Sequence, residues 1–225
     1  KENTNFDDKN LVFLIGFPRS GTTLLDSILR SHPSVDVLEE KPLISILEKL
    51  IINKFDTGLD DIYSLSMNNI LELRKTYFDL QNELLVSKKD LVIDKLPLHT
   101  ISLPLINLLF PSCKIIFAHR HPYDTVLSCF QQAFKPNPAM ANLVNLQLAS
   151  RLYDQVMDAW EEYTNTLFLN TITSKYENLV HDFDSQMKDM IDFLDLDWSD
   201  NLRNFNLTAQ NRIKISTPSS YQVIE

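Results

Sequence analysis

The chain has 225 residues, 44% hydrophobic and 23% charged, with 21 Lys and Arg against 30 Asp and Glu and a formal net charge of −9. That length carries one α/β domain with a substantial core, and the acidic balance argues against a nucleic-acid surface. No apolar run reaches the roughly 18 residues of a membrane span, and from the polar opening Lys1-Glu2-Asn3-Thr4-Asn5-Phe6-Asp7-Asp8 a signal peptide is not expected.

Cys113 and Cys129 are too few for a disulfide framework. They read as reduced thiols, and the expected setting is cytoplasmic. His32, His99, His119, His121 and His181 show no metal-ligand spacing, so no metal is expected. Any anionic ligand must be met by locally placed cations, because the net field repels it.

Residues 1–9 are polar and read as a flexible arm, and residues 10–225 as a single domain. The apolar run at 11–15 predicts a buried strand, followed by the turn Gly16–Thr23. A helix at about 21–31 puts Leu24, Leu25, Ile28 and Leu29 on one face and ends at His32-Pro33. Helices are predicted at 43–54 and 67–87, with a break at Asp56-Thr57-Gly58. A strand at 90–94 leads through a helix at 100–110 to a second clear strand at 114–119. A helix starts near Pro122, a loop covers 135–138, and a long helix runs about 139–164. A strand near 171–176 and a helix at 185–195 complete the series. This order predicts an α/β, P-loop-like three-layer fold: a central parallel sheet flanked by helices. Ligands of such sheets bind beyond the carboxyl ends of the strands.

Only three glycines occur, where average usage of about 7% would supply roughly sixteen, and Gly16 and Gly21 bracket one loop. Strand, glycine-bounded turn and helix together make a phosphate cradle of backbone N–H groups and helix dipole. The spacing G-x-x-x-x-G is that of a nucleotide P-loop, but Thr22 stands where that motif has Lys, and the cation is Arg19 inside the loop. The loop therefore suits a phosphate-like group better than the β/γ-phosphates of ATP. A plain strand–turn–helix corner is the bland alternative. A second cluster follows another strand: Arg120 at its tip and Ser128 eight residues on. A guanidinium fork and a hydroxyl suit a second anion. Two such sites across one crevice suggest a ligand with two separated anionic groups.

On these residues the chain resembles the sulfotransferases that use 3′-phosphoadenosine 5′-phosphosulfate (PAPS), an anion at both ends. Phe17-Pro18-Arg19-Ser20-Gly21-Thr22-Thr23-Leu24 resembles their 5′-phosphosulfate loop. Arg120 with Ser128 resembles their 3′-phosphate site. Lys175-Tyr176-Glu177-Asn178-Leu179-Val180 is similar to a stretch whose Tyr contacts the nucleotide. Thr217-Pro218-Ser219-Ser220-Tyr221-Gln222-Val223 is similar to a late segment that closes over the donor.

The nearest likeness is to the tyrosylprotein sulfotransferase branch and its bacterial relatives with tetratricopeptide repeats. Glu40, seventeen residues after Thr23, falls on the second member of that branch's Glu-Glu pair. Asp94-Lys95-Leu96-Pro97 resembles its Lys segment. The resemblance implies Glu40 as catalytic base, with Lys95, Arg19 and Ser219 stabilising charge on the transferring sulfonyl group. It implies Arg19, Ser20, Gly21, Thr22 and Thr23 as the 5′ site, and Arg120, Ser128, Tyr176, Ser219 and Gln222 as further donor contacts. His99 is the rival base, as in the cytosolic small-molecule branch, although Lys95 rather than His99 falls on that branch's His position. Pro42 stands where the tyrosylprotein enzymes carry an Arg that contacts acidic peptides. Relatives continue beyond the Gln-Val segment into a C-terminal helix, so a domain short of that end is expected.

The implied reaction is sulfonyl transfer to an acceptor hydroxyl of a small molecule, glycan or peptide. A P-loop kinase or NTPase, or a non-catalytic nucleotide-binding module, is the alternative. Trp160 and Trp198 read as core or helix-packing residues.

Overall fold

The computed structural model describes residues 8–87, 89–132 and 140–206. Five strands form one sheet: β1 (Leu11–Gly16), β2 (Val35–Glu39), β3 (Leu91–Lys95), β4 (Lys114–His119) and β5 (Asn170–Lys175). Their order is β2-β3-β1-β4-β5, and every pairing is parallel. β1 is central, and all six of its residues are buried, as its unbroken apolar run requires. The register pairs Leu14 with Lys95, Glu39 with Lys95, Gly16 with Ala118 and His119 with Lys175. The carboxyl ends of all five strands therefore open on one edge. The chain reverses its lateral direction at β1, which places the ligand crevice there.

Helices cover both faces. On one, α2 (Leu43–Phe55), α3 (Met67–Leu84) and α4 (Leu103–Leu109) bury Leu47, Leu73, Tyr77 and Ile106 against Phe13, Ile15 and Phe117. On the other, α1 (Thr22–Arg30) and α8 (Phe183–Phe193) bury Leu25, Ile28, Met187 and Ile191 against Val12, Leu14 and Ile116. A third cluster joins Phe17 of the glycine loop to α5 (Pro122–Phe130) and α6 (Leu146–Thr166) through Val126, Cys129, Tyr153 and Val156.

Several elements differ from the sequence reading. β2 lies in a stretch that the sequence reading leaves unassigned. Val35, Val37 and Leu38 are buried and Asp36 and Glu39 half-buried, a partial alternation on the edge strand of the sheet. The helix expected at 100–110 is a 3-10 turn, Pro97–Ser102, running into α4. The helix expected at 139–164 is a 3-10 turn, Met140–Val144, then α6 from the cap Asn145, whose side chain accepts from the N–H groups of Gln147 and Leu148. A short helix, α7 (Tyr176–His181), follows β5 directly. Asp8, within the expected arm, is buried, pairs with Arg74 at 3.3 Å and accepts from the Ser112 N–H at 2.9 Å. Trp160 is half-buried and packs against the core, stacked on Phe117 at 3.9 Å, whereas Trp198 is exposed beneath Arg203 at 5.2 Å. Both cysteines are free and buried. Among the described residues, no helix is long and apolar enough to cross a membrane.

Candidate active site

The glycine loop sits at the carboxyl end of β1 and feeds α1. Gly16 has φ +153°, and a Cβ there would lie 2.4 Å from the Ala118 carbonyl oxygen, so only glycine lets β1 run this close to β4. Gly21, at φ +100°, leads into α1, and its Cβ would meet Tyr176 Cδ2 at 2.8 Å. The loop thus needs both glycines for backbone reasons. Thr22 and Thr23 are buried at the helix start, and Arg19 adopts φ +70°. Glu40, just past β2, also has positive φ, at +50°. Two of the four non-glycine residues of positive φ among those described therefore lie on this edge. Such conformations persist where the surroundings hold them, often at functional sites.

Arg19 Nε donates to Ser128 Oγ at 2.9 Å, which joins the loop to α5. Arg120, at the tip of β4, lies over the Tyr176 ring with its guanidinium carbon 4.7 Å from the centroid. Burial lowers the Arg19 guanidinium from its ordinary value, and the charge of Arg120 pushes the same way. Two guanidiniums are thus held close in a protein of opposite overall charge, an arrangement that an anion relieves. Among the described residues, Ser20 Oγ and Arg120 Nε are buried without a hydrogen-bond partner. One orphaned polar atom lies in each half of the crevice.

Lys95 ends β3, and its side chain is fully buried. Its ammonium lies 3.2 Å from Glu40 Oε1, 3.3 Å from Glu39 Oε1 and 3.9 Å from Asp26 Oδ2. The Glu40 N–H donates to the Lys95 carbonyl at 2.8 Å, extending the β2–β3 ladder by one residue and fixing Glu40 beside Lys95. The Glu40 side chain is 37% exposed. Asp26, fully buried in α1, also pairs with Arg30 at 2.9 Å, and Arg30 donates to the Val37 carbonyl.

His99 is elsewhere. It is 2% exposed, packs edge-on against Phe13 at 6.0 Å between centroids, and turns Nε2 to within 3.7 Å of Asp94 Oδ1. Asp94 accepts from Tyr77 Oη at 2.9 Å. Burial pushes His99 down to about 3 and Asp94 up to about 7.

The structure therefore brings Arg19, Ser20, Gly21, Thr22, Thr23, Arg120, Ser128 and Tyr176 together, with Glu40 and Lys95 paired on the same edge. Ser219 and Gln222 lie outside the described residues. Asp26 was missed by sequence reasoning. Its signal is a carboxylate set between the apolar pairs Leu24-Leu25 and Ile28-Leu29 of one helix.

A model of the Sulfotransferase family matches residues 12–200. The chain belongs to the sulfotransferase family. An uncharacterised protein of Aquifex aeolicus (strain VF5) is 26% identical over 226 residues, covering 96% of this chain but 29% of that relative. This sulfotransferase chain thus spans less than a third of that relative's length. The sulfotransferase domain of the Synechococcus PCC 7002 olefin synthase superposes with a TM-score of 0.68 at 22% identity, over 97% of this chain and 84% of that one. Mouse sulfotransferase SULT7A1, solved in complex with PAP, superposes with a TM-score of 0.55 at 20% identity, over 99% and 76%. These likenesses show a shared sulfotransferase fold, with the central parallel sheet and flanking helices expected from the sequence.

Proposed function

We propose that this sulfotransferase takes PAPS as donor and moves its sulfonyl group to an acceptor hydroxyl. The observation that carries the reading is the pair of buried, unpartnered polar atoms, Ser20 Oγ and Arg120 Nε, one in each half of the crevice. A ligand anionic at both ends completes both. Arg19, Ser20, Gly21, Thr22 and Thr23 hold the 5′-phosphosulfate through N–H groups, hydroxyls and the helix terminus. Arg120 and Ser128 hold the 3′-phosphate, and the Tyr176 ring lies beside the nucleotide. Ser219 and Gln222 add contacts from the C-terminal segment.

The reaction is an in-line displacement at sulfur. The acceptor oxygen forms a bond to sulfur, the bond from sulfur to the bridging phosphate oxygen breaks, and adenosine 3′,5′-bisphosphate (PAP) leaves. The acceptor proton passes to Glu40, whose partly exposed carboxylate supports it over the enclosed His99. Lys95, Arg19 and Ser219 meet the charge that builds on the sulfonyl and bridging oxygens. Sulfonyl transfer carries less charge than phosphoryl transfer, and the protein's own cations suffice without a metal.

The acceptor is a hydroxyl of a small molecule, glycan or peptide, and Pro42 speaks against an acidic tyrosine peptide. Two free buried thiols fit a cytoplasmic setting. Thermal shift tests the donor: PAP is expected to raise the melting temperature by mass action, and ATP–Mg²⁺ to raise it far less. The reverse order would favour a kinase or NTPase. Labelled PAPS against an acceptor library then identifies the hydroxyl.

A further inference from the structure

A phosphate loop works only if its peptides keep the right polarity. N–H groups must face the anion, and a peptide flip would replace a donor with a repelling carbonyl oxygen. In this loop four carbonyls are tied. Two are held by local backbone: Phe17 O accepts from the Ser20 N–H at 3.1 Å within the loop, and Gly21 O from the Leu25 N–H of α1 at 3.1 Å. The other two are held from outside. Thr100 Oγ1 donates to Gly16 O at 2.9 Å, sharing its proton with Pro97 O at 3.0 Å. Cys129 Sγ donates to Pro18 O at 3.1 Å. Both side chains are fully buried.

We propose that Thr100 and Cys129 are positioning residues that set the polarity of the phosphate loop, holding the Gly16 and Pro18 carbonyl oxygens away from the bound anion. The proposal rests on the reading of this loop as the 5′ site of PAPS. Gly16 is the residue whose peptide most needs such a tether, since it lacks the side chain that would restrict it. The two tethers come from separate elements. Thr100 lies in the turn that follows β3 and Lys95. Cys129 lies in α5, next to Ser128, which already bonds Arg19. The loop is thus gripped from both sides of β1. Burial pushes the Cys129 thiol up to about 12, so it keeps the proton it donates. The Thr100 turn is itself anchored by His99 against Phe13 and by the Tyr77–Asp94 hydrogen bond on the adjoining strand.

The test compares Thr100→Val with Thr100→Ser and Cys129→Ala with Cys129→Ser in the full chain. PAP affinity is read by calorimetry, stability by thermal melting, and PAPS turnover is split into kcat and KM. Thr100→Val and Cys129→Ala are each expected to weaken PAP about tenfold, because one loop N–H then loses its orientation toward a charged acceptor. The two serine variants keep a donor and are expected to bind within about threefold of wild type. Normal PAP affinity in Thr100→Val and Cys129→Ala, with only a lowered melting temperature, would overturn the proposal. So would serine variants as weak as the donor-less ones. If Thr100→Val does not fold, the comparison of Cys129→Ala with Cys129→Ser decides: equal, wild-type PAP affinity in both overturns the proposal. Failure of the wild-type chain itself to bind PAP would instead overturn the reading of the site.

Discussion

Lys95 Nζ lies 3.2 Å from Glu40 Oε1, so the cation and the carboxylate assigned to the chemistry are ion-paired to each other. Glu39 and Asp26 complete a set of three carboxylates around this one buried ammonium. In the proposed reaction, a sulfonyl group entering the crevice would compete with Glu40 for Lys95, and whatever share it took would leave Glu40 freer to accept the acceptor proton. Glu39 and Asp26 would keep Lys95 held during that exchange.

The first prediction concerns stability. Lys95→Met removes the ammonium that Asp26 and Glu39 share, while Asp26 keeps its pairing with Arg30. Breaking a buried pair from one side costs about 3–5 kcal/mol. Denaturant unfolding is expected to show a loss of that order. A variant as stable as wild type would mean that water already reaches this cluster.

The second separates chemistry from folding at the same pair. Glu40→Gln keeps size and hydrogen bonding but cannot take the acceptor proton. Turnover is expected to fall by roughly 10² or more, the usual scale for a lost general base. Because the Glu40 side chain is 37% exposed, stability is expected to change by less than about 1 kcal/mol. PAP affinity is expected to stay near wild type. If Glu40→Gln turns over normally while His99→Ala does not, the base is His99.

A third prediction addresses the far end of the donor. Arg120 faces Tyr176 and carries an unpartnered buried Nε. Arg120→Ala would remove the charge-assisted contact proposed for the 3′-phosphate. The preference for PAPS over adenosine 5′-phosphosulfate is expected to shrink by about tenfold or more. Unchanged discrimination by calorimetry would place the 3′-phosphate elsewhere.

These contacts divide according to how far each is encoded locally. The Gly16–Thr23 loop is legible because glycine is scarce here and because strand, turn and helix are consecutive. β1 and β4 are legible because burial on both faces writes an unbroken apolar run. β2 is not: five residues between two helices carry too short an alternation to stand out, and its pairing with β3 is a long-range fact. Thr100, Cys129 and Asp26 are illegible for a related reason. Each acts on a partner brought near by the sheet register or helix geometry, and a lone Thr, Cys or Asp in an apolar stretch has no pattern of its own. Glu40 and Lys95 became candidates only through family resemblance. The β2–β3 register supplies the physical link between them.

The fourth prediction uses Gly21. At φ +100°, an alanine is strained, and its Cβ would press on Tyr176 at 2.8 Å. The backbone cost alone is about 1–2 kcal/mol, and the Tyr176 ring must also shift from its place under Arg120. Gly21→Ala is therefore expected to lower both the melting temperature and PAP affinity. Gly58→Ala is the control, because a Cβ there meets nothing within 4 Å. A Gly21 variant that loses stability but binds PAP normally would show that Tyr176 does not contact the nucleotide.

The last prediction is a pH dependence set by the buried group beneath the site. Burial raises the Asp94 carboxyl from 3.8 to about 7, although the hydrogen bond from Tyr77 pulls it the other way. The folded protein therefore holds a proton on Asp94 that the unfolded chain releases. Stability from this group is fully present below about pH 4, falls as the pH rises, and is lost by about pH 7. His99, lowered from 6.5 to about 3, acts in the opposite sense and erodes stability as the pH falls below 6.5. Asp94→Asn keeps an acceptor for Tyr77 but has no proton to lose. Its melting temperature, compared with wild type at each pH, is expected to gain steadily between pH 4 and 7 and to hold a constant lead above that. The comparison cancels His99, which both proteins carry. A difference that stays flat from pH 4 to 8 would show that Asp94 titrates in the folded protein at its ordinary value.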